Sequence, residues 1–206
     1  MNRIFLALFS LSLTSQICSA QEEKKISIEA LGGISLPVGS AANDLTTGYN
    51  VLLGGGRNFT PSIAAFIEFQ YDHFGLTTST LKANNQPAGF GRFWTFSVSP
   101  RYYFHRNHKL GGYVTAGAGL YAREIAFTDP SQIQTYCDPY YGHGCQSSSA
   151  PIVASNIIYK PGFGAGGGLT YSPFANRFKL AIDVRYNHYL SSTDNSFVTA
   201  AFGFLY

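Results

Sequence analysis

Charge is scarce in this chain: Asp, Glu, Lys and Arg make up 12% of its 206 residues, about half the ~25% of an ordinary soluble domain. The basic residues are scattered and the formal charge is only +3. A nucleic-acid partner, which needs a concentrated basic face, is therefore not indicated. Long hydrophobic runs are also missing. No segment after the first twenty residues offers the ~20 consecutive apolar residues that a membrane helix requires. Any integral membrane form must then be a closed β-barrel, the other structure that satisfies all its backbone hydrogen bonds within lipid. Cysteine is limited to Cys18, Cys137 and Cys145.

Residues 1–20 read as a cleaved secretion signal. Arg3 gives the positive start, Ile4 to Leu13 a short apolar core, and Cys18-Ser19-Ala20 the small residues before Gln21. That core is too short to span a bilayer, and Gln16-Ile17 ahead of Cys18 fits a lipoprotein signal poorly. Residues 21–206 are left as one domain. Cleavage removes Cys18, and an exported protein meets an oxidising compartment, so Cys137 and Cys145 are expected to form a short-loop disulfide. A metal site of Cys137, His143 and Cys145 would lack a fourth ligand at customary spacing. Neither a metal nor another cofactor is expected.

What the chain does have is aromatics, at 16%, 22 glycines and a period of two. Eight segments carry it, near 25–36, 47–59, 62–74, 91–105, 110–127, 156–171, 177–190 and 196–206. In Phe178 to Tyr186 (FKLAIDVRY), Phe178, Leu180, Ile182, Val184 and Tyr186 share one parity, while Lys179, Asp183 and Arg185 share the other. Strands send alternate side chains to opposite faces, so each segment has an apolar and a polar face. A soluble barrel would turn the apolar face inward, and a membrane barrel turns it outward into lipid. Connection lengths favour the second arrangement. Thr60-Pro61, His105 to Lys109 and Ser172 to Asn176 are short, whereas 37–46, 75–90 and 128–155 are long, as in a meander with tight turns at one rim and loops at the other.

The last strand ends Phe202-Gly203-Phe204-Leu205-Tyr206. With these features the chain resembles, over the whole of 21–206, the small eight-stranded outer-membrane β-barrel family, OmpA- or OmpX-like and often labelled porin-family. The resemblance implies an all-β, eight-stranded, antiparallel up-and-down transmembrane barrel in a Gram-negative outer membrane, with both termini periplasmic and four loops outside. It further implies outer-membrane lipids and lipopolysaccharide as neighbours. Phe202, Phe204 and Tyr206 would be the signal read by the barrel-assembly machinery. No appended peptidoglycan-binding domain is expected.

On that reading Glu29, Glu68, Asp72, Arg101, Arg123, Lys179, Asp183 and Arg185 project into the lumen. An eight-stranded barrel is only wide enough for side chains to fill it, and unpaired buried charges are costly. A packed ionic network follows, with Glu68 and Glu29 facing Arg101 or Arg185; an ion path through the charges is the alternative. Glycines on the wall would make room for large inward side chains. Gly162 to Gly167 matches a dinucleotide fingerprint as a string, but strand continues where that site needs a helix.

Two further features bear on function. Lipid A deacylases are barrels with a His-x-Ser-Asn element, and Tyr186 to Ser192 invites comparison through His188. Position 190 is Leu, however, and Ser191 lies on the opposite face from His188. The loop 128–155 gathers Tyr136, Tyr140, Tyr141 and His143 around the cysteines, and exposed tyrosines suit surface recognition. The expected function is thus non-catalytic, through envelope integrity or external loops. A narrow channel for small solutes or hydrophobic molecules and a deacylase are the alternatives, and a soluble secreted barrel is the alternative fold.

Overall fold

Period-two segments become strands, and the strands close into a ring. The structure is a computed structural model that describes residues 26–104, 109–133, 135–137, 145–173, 178–191 and 195–206. The chain runs β1 (Ile26–Val38), β2 (Gly48–Asn58), β3 (Ile63–Gly75), β4 (Ala88–Phe104), β5 (Leu110–Thr128), β6 (Thr135–Cys137), β7 (Cys145–Ser147), β8 (Ile152–Tyr171), β9 (Lys179–Tyr189) and β10 (Asn195–Leu205). Eight of these form a closed barrel in the order β1-β10-β9-β8-β5-β4-β3-β2, while β6 and β7 form a separate hairpin. Closure is antiparallel, with Ile34 opposite Ala200 and Glu29 opposite Leu205. The signal-peptide expectation lies outside the described residues.

Burial follows the parity. In β9, Ile182, Val184 and Tyr186 are 53%, 48% and 41% exposed, whereas Asp183 and Arg185 are 1% and 5% exposed. The same inversion holds in β1, where Ile26, Ile28, Ile34 and Leu36 are exposed and Ser27, Glu29 and Ser35 are buried. Ile67, Phe69, Phe96, Val98, Val114 and Leu169 continue this apolar outer wall on other strands. A soluble monomer does not expose apolar surface on this scale; the wall is what a transmembrane barrel presents to lipid.

Glycine sets the wall's thickness where inward side chains are large. A Cβ on Gly56 would lie 2.7 Å from the Phe66 ring, and one on Gly54 would lie 2.7 Å from Glu29 Oε1. Both inward groups lie directly against bare backbone.

The short turn at Thr60-Pro61 closes by a local hydrogen bond: Thr60 Oγ1 accepts from the Ile63 amide at 2.9 Å. The first two long loops contain short helices. The first contains helix α1 (Ala41–Asp44) and the second helix α2 (Thr78–Ala83). Thr77 caps α2 by accepting from the Thr80 amide. Its hydroxyl also donates to the Asn43 carbonyl at 2.7 Å, and its amide donates to the Asp44 carbonyl at 2.9 Å. The first two long loops are therefore stitched together. β5 and β8 are the longest strands, and β8 meets β9 only from Gly162 onward, opposite Tyr189. Residues 152–161 pair with β5 on one edge, and 152–160 are exposed throughout.

Candidate functional site

Inward parity brings charges from four strands into one cluster. Arg101 on β4 donates to Glu29 on β1 through Nη1 and Nη2, each 2.8 Å from a carboxylate oxygen. Its Nη2 also reaches Glu68 Oε1 on β3 at 2.9 Å. Arg185 on β9 donates Nη1 to Glu68 Oε2 at 2.6 Å and Nε to Asp183 Oδ1 at 2.6 Å, with Glu29 at 3.9 Å. Ser99 donates to Glu68 Oε2 at 2.6 Å, and the Tyr113 hydroxyl donates to Asp183.

The Arg101 guanidinium lies 4.0 Å from the centroid of the Phe66 ring and 4.3 Å from that of Tyr113. Its charge is thus shared between carboxylates and two aromatic faces. The side chains of both arginines and their acidic partners are nearly inaccessible. An arrangement so paired and enclosed fixes positions; it leaves neither a free base nor a free nucleophile.

The other lumen positions fall elsewhere. Asp72 is fully buried, but it accepts from Ser35 Oγ and from Gln70 Nε2 at 2.9 Å. These hydrogen-bond partners are neutral. Lys179 is half-buried at the first position of β9. Arg123 lies two positions beyond Tyr121 on β5, half-buried near the long-loop rim.

The inward charges read from the sequence left out a second set of inward groups, the aromatics. Phe74, Phe93 and Phe197 form a mutual trio with ring centroids 5.3–5.6 Å apart, joined by Tyr121 and Tyr189. A second layer, with Tyr103 and Tyr113 5.6 Å apart, includes Phe66, Leu31 and Leu205. The signal was available, because Phe66 shares parity with Glu68, Phe93 with Thr95 and Phe197 with Thr199. Between the layers, a gap of about 10 Å³ borders Thr95, Arg185 and Asn187, about the room one water needs.

His188 faces outward on β9, and its Nδ1 lies 2.9 Å from Ser196 Oγ on β10, directly across the strand pair. Ser191 is not its partner. Tyr186 donates to the same Ser196 oxygen at 2.9 Å, and the His188 ring packs on Phe163 at 5.1 Å. Cys137 and Cys145 are directly opposed in the β6–β7 register, and their side chains lie outside the described residues, as do Tyr140, Tyr141 and His143. Phe202 and Phe204 face outward, and the Tyr206 backbone exchanges two hydrogen bonds with Ile28, tying the last residue into the closing seam.

A closed eight-stranded antiparallel ring with an apolar outer wall and a filled polar lumen is a transmembrane barrel of the outer-membrane type. Among solved structures, the chain is similar to Neisserial surface protein A, with a TM-score of 0.53 and 14% identity over 88% of this chain and 96% of that one. It is likewise similar to a major outer membrane protein from Thermus thermophilus, with a TM-score of 0.52 and 12% identity over 89% of this chain and 99% of that one. Identities this low establish a shared fold. No protein-family model matches the chain, and no curated protein matches it significantly.

Proposed function

We propose that the chain is a non-catalytic, non-conducting barrel of a Gram-negative outer membrane. Both termini would lie on the periplasmic side, and the long-loop rim would face outward to make surface contacts. The observation that carries this reading is the blocked lumen: the paired charges of Glu29, Glu68, Arg101, Asp183 and Arg185 sit between two aromatic layers. A solute would have to break buried ion pairs to pass, at a cost of several kcal/mol.

External contact is supported by the edge of β8 that β9 leaves without a partner strand over 152–160, apart from the Ile158 carbonyl that accepts from the Tyr189 hydroxyl, since unpaired backbone groups accept an added strand. The loop 128–155, rich in tyrosine, leads into that edge in the sequence. Lipopolysaccharide as a neighbour is supported by Tyr49, Tyr71, His73, Phe90 and Trp94, which form a contacting outer belt near the long-loop rim. Such rings favour the headgroup level. A role for Phe202, Phe204 and Tyr206 in recognition by the assembly machinery rests on the resemblance.

The His188–Ser196 contact is the one observation that favours an acyl hydrolase. Against it, the described neighbours of the His188 ring are Phe163, Tyr186 and Ser196, none of them a carboxylate to orient the base. The contact reads better as a polar tie within the outer belt.

Cell fractionation with a heat-modifiability gel tests membrane residence: a folded membrane barrel migrates differently before and after boiling, and recovery in the soluble fraction would refute the reading. Planar-bilayer recording tests the plug, with no defined conductance expected. Mass spectrometry of lipid A from cells with and without the protein should show identical acylation.

A further inference from the structure

Above the upper aromatic layer, where β5 and β8 rise past their neighbours, the barrel opens into a cavity of about 410 Å³. Small-molecule sites fall in the range of ~300–1,000 Å³. Its wall has two characters. Leu76, Ile125 and Phe127 are apolar; Leu76 belongs to the aromatic layer beneath, and Ile125 and Phe127 pack against it. Arg123 is the cation among the lining residues, with the polar side chains of Asn84 and Asn156 also on the wall.

Arg123 is the lining residue whose hydrogen bonding is incomplete. It is half-buried, makes no ion pair with a described residue, and its enclosed Nε has no hydrogen-bond partner. Arg101 and Arg185, deeper in the lumen, are both paired with carboxylates. Asp44 also lines the cavity, but it is exposed at the solvent edge and accepts from Thr80 Oγ1 at 2.9 Å. The charge of Asp44 acts on Arg123 across the cavity, but no ion pair joins the two among the described residues, and the Arg123 Nε is left for a ligand. A desolvated guanidinium beside apolar side chains gains most from an anion that brings its own apolar body.

We propose that this mouth cavity is a binding site for a small amphipathic anion, a carboxylate on an aryl or short aliphatic body. The carboxylate meets Arg123 and the body lies on Leu76, Ile125 and Phe127. The cavity is blind, since the Phe74, Phe93 and Phe197 trio lies below it, so the site captures a ligand without passing it on.

The test uses residues 21–206 in phosphatidylcholine nanodiscs, titrated calorimetrically with naphthoate and with its neutral isostere naphthamide, with empty nanodiscs as the blank. The expected result is saturable one-site binding of naphthoate, at least about tenfold weaker for naphthamide and for Arg123→Gln, the loss of one charge-assisted contact. Ile125→Trp, which fills the apolar half, should also weaken binding. Heat-modifiability verifies that each variant is folded. Equal affinity of wild type and Arg123→Gln for naphthoate, equal affinity of wild type for the acid and the amide, or the absence of saturation overturns the proposal.

Discussion

Arg101 holds Glu29 in a two-pronged grip, with each guanidinium Nη 2.8 Å from its own carboxylate oxygen, and the two residues come from β4 and β1. Strand β1 neighbours β2 and β10, not β4. The bond therefore crosses the lumen and ties opposite parts of the wall together.

Breaking that cluster from either side should be costly. Arg101→Ala strands Glu29, whose other cation, Arg185, is 3.9 Å away, while Glu68→Ala removes a partner of both arginines. Arg101→Ala is expected to destabilise the folded barrel by about 3–5 kcal/mol, because the buried Glu29 is left uncompensated, and Glu68→Ala by less, because Arg101 keeps Glu29 and Arg185 keeps Asp183. Urea titration of refolded protein, read by gel mobility, measures this. Neither variant should open a conducting pore.

Asp72 should behave differently despite equal burial. Its hydrogen-bond partners, Ser35 and Gln70, are neutral, so Asp72→Asn leaves no cation unpaired, and Gln70 can present its carbonyl oxygen to the new amide. The same titration is expected to show a change within about 1 kcal/mol. A loss comparable to that of Arg101→Ala would mean that Asp72 belongs to the ionic cluster.

Gly56 and Phe66 should be energetically coupled. Adding a methyl in Gly56→Ala drives it against the Phe66 ring, and overpacking of this kind costs about 1–3 kcal/mol. In a Phe66→Leu background the penalty should shrink, giving a non-additive double-mutant cycle. Additive effects would show that the ring does not press on that backbone.

Ile182 and Asp183 are adjacent, and they provide the sharpest test of which face meets lipid. Ile182→Arg at the outer wall is expected to cost about 2–4 kcal/mol if the residue sits near the bilayer midplane. On a water-facing wall the same change would stay within about 0.5 kcal/mol. Stability in lipid vesicles distinguishes the two.

Cys137 and Cys145 are expected to be oxidised in protein recovered from the envelope, so alkylation before reduction should leave both unmodified. Cys137→Ser should leave heat-modifiability intact, because the hairpin that carries the pair lies outside the barrel ring. Free thiols in freshly isolated protein would refute the disulfide.

Much of the ring was legible because strand parity is a local property. Asp183 and Arg185 could be sent inward by counting alone, once lipid was chosen for the other face. Partner choice was not legible. Arg185 meets Glu68 across 117 positions, and which carboxylate it reaches depends on the stagger of four strands, which no local pattern encodes. The same holds for His188, where counting along β9 tested Ser191 while the cross-strand register supplied Ser196. Helices α1 and α2 were hidden for another reason: at four and six residues they are too short to show a helical period, and loop-to-loop hydrogen bonds hold them. The inward aromatics were missed because lipid-facing strands also favour aromatics, so residue type misled where parity would not.

The cross-lumen cluster also says something about assembly. With β1, β3 and β4 in place, Glu29 and Glu68 share the single cation of Arg101; Asp183 and Arg185 arrive only with β9, late in the chain. Before that strand docks, the nascent sheet carries a surplus of negative charge on the face that must become interior. Strand β9 adds one charge of each sign, so it leaves that surplus unchanged and instead gives Glu68 its second guanidinium, which makes completion of the cluster wait for the docking of β9.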